Sequence, residues 1–115
     1  MASAFKNAGM TVVTNDDSSA NLYTAPSDGQ AVIHALYVSN KSATNYGNVD
    51  VKVTTDGGST FYHVAKSVQI EPENTLILDK PLNLESNDIV RVVGELNSDS
   101  SQPAMEAYVA ILEVT

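Results

Sequence analysis

The sequence predicts an all-β chain: an antiparallel β-sandwich of about eight strands, jelly-roll-like, with an extended N-terminal arm. Three observations predict it. Apolar residues recur with period two rather than 3.6, clearest where Val49, Val51 and Val53 alternate with Asp50, Lys52 and Thr54. Turn-forming clusters part the apolar runs roughly every 10–15 residues, a spacing that suits a sandwich and not βαβ units. No segment of helical length carries an apolar stripe with caps.

Each element follows from its residues. The stretch 1–20 is small and polar, ends in Asn15-Asp16-Asp17-Ser18-Ser19, and holds one strand-like run, Met10-Thr11-Val12-Val13-Thr14. It reads as an arm that either covers a sheet edge or reaches a neighbouring subunit, with a frayed terminus as the alternative and a turn of helix near residues 3–9 as a lesser option. Residues 21–115 then form the sandwich. A strand at 22–25 precedes the turn Pro26-Ser27-Asp28-Gly29. Residues 31–39 are apolar on both parities, with Val32, Leu36 and Val38 on one and Ile33, Ala35 and Tyr37 on the other. Such a strand is expected to be covered on both faces, at a sandwich centre or a subunit contact. Asp56-Gly57-Gly58 supplies the positive-φ positions of a hairpin between strands at 49–54 and 60–65. Further strands are expected at 68–70, 75–78, 89–95 and 105–114. Between them lie turns at 71–74 and 85–88 and an exposed loop at 97–103.

Composition narrows the function classes. The chain has 115 residues, 43% of them apolar, enough for one domain with one core. Zero cysteines exclude a disulfide scaffold, a zinc finger and thiol chemistry. Six basic against fourteen acidic residues give a net charge of −8, which argues against a nucleic-acid backbone as partner. The longest apolar stretch, 31–38, is interrupted by His34 and falls short of the ~20 residues of a membrane span. The N-terminus shows no charged lead followed by an apolar run, so synthesis and assembly in a cytoplasm are expected.

Candidate chemistry is sparse. Asp16 and Asp17 with Ser18 and Ser19 offer oxygen ligands, but the alternating spacing and terminal Glu of a calcium loop are missing, so no metal is expected. Asp56-Gly57-Gly58-Ser59 joins two strands and does not lead into a helix, so it reads as a turn and not a phosphate cradle. His34, among apolar neighbours, is expected in a core or contact, and His63 on the strand face opposite Tyr62 and Val64. Neither has a nucleophile motif nearby. Paired carboxylates for glycoside chemistry need a cleft, whereas Glu71, Glu73, Glu85, Asp88 and Asp99 fall in turns where solvated acids sit. Tyr23 and Tyr37 are expected to anchor a core or interface. Tyr46, in the loop 41–48, is the best exposed aromatic for stacking on a sugar. Neither enzyme activity nor a cofactor is expected.

The order of pieces from Leu22 resembles a known family. Leu22-Tyr23-Thr24-Ala25-Pro26 opens the domain, and a strand ending Tyr37-Val38-Ser39-Asn40 follows. Next come 49–54 and 60–65, then the run Asn74-Thr75-Leu76-Ile77-Leu78-Asp79-Lys80-Pro81-Leu82-Asn83-Leu84-Glu85 leading into Asp88-Ile89-Val90-Arg91-Val92. This arrangement is similar to small β-sandwich virion proteins of tailed bacteriophages, notably those of marine hosts. The resemblance implies a non-enzymatic virion structural protein, foremost a capsid decoration (cement) protein. Its partners would be the major capsid protein and sister copies, with a trimer favoured. Met10, Val12 and Val13 in the arm and Ile33 and Tyr37 on the two-sided strand are the expected contact residues, and Tyr46 a surface contact. A neck, tail or fibre-adaptor protein is the alternative within the virion. A carbohydrate-binding module for host polysaccharide is the alternative outside it.

Overall fold

The computed structural model describes residues 2–14, 16, 20–95 and 104–115. Among these, the chain forms ten strands and no helix: β1 (Ser3–Thr11), β2 (Val13–Thr14), β3 (Asn21–Thr24), β4 (Gln30–Asn40), β5 (Gly47–Thr54), β6 (Phe61–Ile70), β7 (Thr75–Leu78), β8 (Leu82–Leu84), β9 (Ile89–Glu95) and β10 (Met105–Val114). The first sheet runs β1-β10-β4, with β7 and β8 both beside β4. The second runs β9-β5-β6, with β2 and β3 both on the far side of β9. All pairs are antiparallel except β2 with β9. The loop expected at 97–103, with Asp99, and the acidic turn residues 15 and 17–19 lie outside the described residues.

The two sheets face each other through the expected alternation. Ile33, Leu36 and Val38 of β4 and Val109 and Ile111 of β10 meet Val49 and Val51 of β5 and Val90 and Val92 of β9, all fully buried. Each such side chain contributes roughly 1.5–3 kcal/mol on leaving water. Asp79-Lys80-Pro81 breaks the edge between β7 and β8, because proline cannot continue a ladder through its nitrogen; of the two strands, only β8 is absent from the elements expected from the sequence.

Within the single chain residues 31–39 are not buried on both faces. Ala31 and Ile33 point inward, then Leu36, Val38 and Asn40 do. The parity changes because Ala35 pairs with Ala110 while Ile33 pairs with Ile111, leaving His34 as one extra residue in β4. This bulge turns a continuous apolar run into a strand with one buried face. His34 is therefore exposed rather than in a core, and its ring lies 6.2 Å from that of Phe5.

The N-terminal segment is also strand and not a helical turn. Its residues pair with β10 along their whole length, from Ser3 opposite Val114 to Thr11 opposite Glu106. The β10 edge gives the backbone groups of alternate β1 residues a partner, more than a single isolated turn of helix supplies. The segment lies along an edge of its own domain. Residues 61–70 likewise form one strand rather than two. A second bulge opposite Asp50 bridges the gap, with Ser67 at φ 51°.

Two turns are built as their residues require. Gly57 and Gly58 adopt φ 78° and 116° between β5 and β6, where a side chain would be strained. Asp88, expected as a solvated turn acid, is buried instead. Its carboxylate accepts from Gly57 N–H at 3.1 Å, Glu85 N–H at 3.0 Å and the Thr54 hydroxyl at 3.4 Å. One side chain thereby ties the β5–β6 hairpin to the turn before β9.

Candidate assembly surface

The outer face of the first sheet carries an apolar row among polar residues. Odd residues of β1, even residues of β10 and Tyr37 and Ile77 of β4 and β7 point away from the core. The cross-strand partners Gly9, Tyr108, Tyr37 and Ile77 lie in one row across four strands. Ile77 is 54% exposed, Tyr108 45% and Tyr37 37%. The Tyr37 and Tyr108 rings sit 6.3 Å apart at 31°, within the range of favourable aromatic pairs. Phe5, beside Leu112 two rows along, is 82% exposed. Gly9 has no side chain to continue the row, and a shallow groove of about 440 Å³ opens there, lined by Gly9, Tyr37 and Tyr108 of the row and by Met10, Thr11, Ser39, Glu106 and Ala107.

The residues singled out in the sequence divide between this face and the interior. Tyr37 stands in the exposed row. Met10 packs half-buried against the core from β1, and Val13 is half-buried in β2. Val12 is buried between them, its N–H donating to the Met105 carbonyl at 2.9 Å. Ile33 is 1% exposed and belongs to its own domain's core. It is therefore closed to a partner, for the reason already given: the His34 bulge directs it inward. Tyr46 is half-buried rather than prominent. Phe5, Tyr108 and Ile77 were not singled out. Their signal is outward parity on strands whose opposite parity is apolar, and it needs the pairing partners to be read.

Polar chemistry gathers on the second sheet. The buried Asp50 accepts from Ser67 N–H at 2.6 Å, made possible by the left-handed backbone at Ser67. Lys66 Nζ lies 3.5 Å from Asp50 and 3.3 Å from Glu95, and the Ser67 hydroxyl donates to Glu95 at 2.7 Å. Burial, and then a hydrogen bond to Glu95, push the Asp50 carboxyl up. That bond, the Ser67 hydroxyl and Lys66 hold Glu95 down to about 2. The two carboxyls lie within hydrogen-bond reach of each other, closer than the ~5–10 Å that glycoside chemistry requires. Nearby, the Arg91 guanidinium stacks 3.9 Å over the Phe61 ring and its Nε donates to Asn21 at 2.6 Å. Among the described residues no group of three or more His, Cys, Asp or Glu is placed to hold a metal.

No family model matches the chain, and no curated protein matches it. Solved structures do. A protein of the Bacillus endospore appendages, disulfide-linked pili, superposes with a TM-score of 0.59 at 11% identity, over 99% of this chain and 87% of that one. The Drosophila NLP core, described for pentamer formation and histone binding, gives 0.55 at 16% identity, over 99% and 98%. A chain of the acid-stable capsid of Helicobacter pylori bacteriophage KHP30 gives 0.51 at 14% identity, over 98% and 87%. At these identities the likeness shows the fold: the chain is an all-β sandwich of the jelly-roll-like kind seen in a phage capsid.

Proposed function

We propose that this chain is a non-enzymatic structural protein of a bacteriophage virion, a decoration (cement) protein that stabilises the shell through contacts with sister copies and the major capsid protein. The exposed apolar row of the first sheet carries the reading. A sheet face bearing Phe5, Tyr37, Ile77 and Tyr108 in water is a surface built to be covered. Each ~100 Å² of apolar surface removed from water there is worth about 2.5 kcal/mol before the costs of association are subtracted. The order of sequence pieces from Leu22 and the likeness to the KHP30 capsid chain support a virion setting. The three similar structures are all of multi-copy assemblies: pili, a pentamer and a capsid. The disulfide linkage of the pili has no counterpart here, because this chain has no cysteine.

In this reading the acidic surface, with net charge −8, keeps the protein off packaged nucleic acid while the apolar face seats it on the shell. The test is quantitative mass spectrometry of purified particles. Copies on the order of those of the major capsid protein are expected. A much smaller number moves the chain to the neck, tail or fibres, and absence from particles overturns the virion reading.

A further inference from the structure

The four sheet margins are not equivalent. The β7/β8 margin is broken by Pro81, and β6 is bulged opposite Asp50. The fourth margin is shared by two short strands, β2 and β3. Such devices blunt an edge against pairing with another chain. The β1 edge has none of them. It runs from Ser3 to Thr11 without a register shift, without proline and with Lys6 as its single charge. Among the described residues no strand pairs its outer side.

The backbone groups that point outward can be named. Ala2 and Thr115 exchange both bonds at 2.8 Å, and Val12 N–H donates to Met105. Hydrogen-bonded pairs alternate along an antiparallel ladder, so the even residues of β1 face β10. The N–H and C=O of Ser3, Phe5, Asn7, Gly9 and Thr11 face away from it.

We infer that β1 pairs antiparallel with β1 of a second copy about a two-fold axis at Asn7, joining the two first sheets into one. This register places Ser3 opposite Thr11, Phe5 opposite Gly9 and Asn7 opposite its own counterpart. Only outward-facing residues meet in it, and all of those from Ser3 to Thr11 are used; any slip leaves some unpaired. The side chains fit the same register. The exposed Phe5 of one copy comes beside Gly9 of the other, where the missing side chain leaves the groove next to Tyr108. An aromatic ring beside an edge glycine is a stabilising cross-strand pair. The apolar row Ile77-Tyr37-Tyr108-Gly9 then continues into Phe5 and Leu112 of the second copy. No acidic residue lies on β1, so the net charge of each copy opposes the contact only at longer range, where salt screens it. An edge pairing of this kind is isologous and closes at two copies.

The experiment uses the purified chain and is independent of the virion reading. Light scattering is expected to give twice the 12.2 kDa of one chain. Asn7→Pro removes an N–H that faces only the second copy, so it gives the single-chain mass with an unchanged β circular dichroism spectrum. Phe5→Lys does the same through the opposite glycine. Asn7→Cys is captured as a covalent dimer by a short bis-maleimide, and Ile77→Cys, on the far side of the sheet, is not. A parent chain that stays monomeric at its solubility limit overturns the inference, as does an oligomer that Asn7→Pro leaves intact.

Discussion

The Tyr23 phenol on β3 donates to the Glu113 carboxylate on β10 at 2.5 Å, joining the second sheet to the first at one end of the sandwich. Burial, then this bond and the charge of Glu113, push the Tyr23 hydroxyl well above its ordinary value of 10.0. The folded protein therefore keeps a proton that the unfolded chain gives up. The stabilisation is full below pH 10.0 and is lost as pH rises toward the folded value. Tyr23→Phe is expected to cost about 1–2 kcal/mol at neutral pH and to remove part of the alkaline loss of stability. Urea denaturation of both proteins across pH 8 to 11 measures this.

Asp88 holds two loops with one carboxylate. Asp88→Ala leaves the Gly57 and Glu85 N–H groups and the Thr54 hydroxyl without their acceptor, and is expected to cost about 2–4 kcal/mol. Asp88→Asn keeps one acceptor oxygen and should lose less. A denaturation midpoint for each variant, read with an unchanged m-value, decides the order.

The Asp50–Glu95 pair gives two opposing pH slopes. Glu95 is held down to about 2 by the bond from Asp50 first, so its contribution is full above 4.5 and fades as pH falls toward 2. Asp50 is pushed up by burial first, so its contribution is full below 3.8 and fades as pH rises through its folded value. Asp50→Asn fixes the protonated arrangement, with its amide donating to Glu95 and its carbonyl accepting from Ser67. This variant should lack the loss on the rising side, and Glu95→Gln the loss on the acid side. Stability measured from pH 2 to 8 in the three proteins separates the slopes.

The bulge at His34 makes an unusual deletion tolerable. Removing His34 gives β4 a plain alternation in which Ala31, Ile33, Leu36 and Val38 all still face inward. Stability is expected to change by no more than about 1 kcal/mol. Deleting Val109 from the unbulged part of β10 instead turns the residues beyond it to the wrong face, and should prevent folding. Thermal melts of the two deletions provide the contrast.

The sequence by itself determined the class of fold and most of its elements. Strands at 75–78, 89–95 and 105–114 coincide with β7, β9 and β10 to the residue, because alternating side chains and flanking turn residues are local signals. The Gly57-Gly58 turn was legible for the same reason. The tertiary structure alone decided the rest. Whether 31–39 has one buried face or two depends on a single extra residue opposite β10, which no local pattern reveals. Asp88 reads as a solvated turn acid and Asp50 as the polar parity of a half-buried strand until their partners, 31 and 17 residues away along the chain, are in place. The exposed row Gly9-Tyr108-Tyr37-Ile77 draws one residue from each of four strands. A surface composed across strands exists only once their register is set, and register is fixed by long-range pairing.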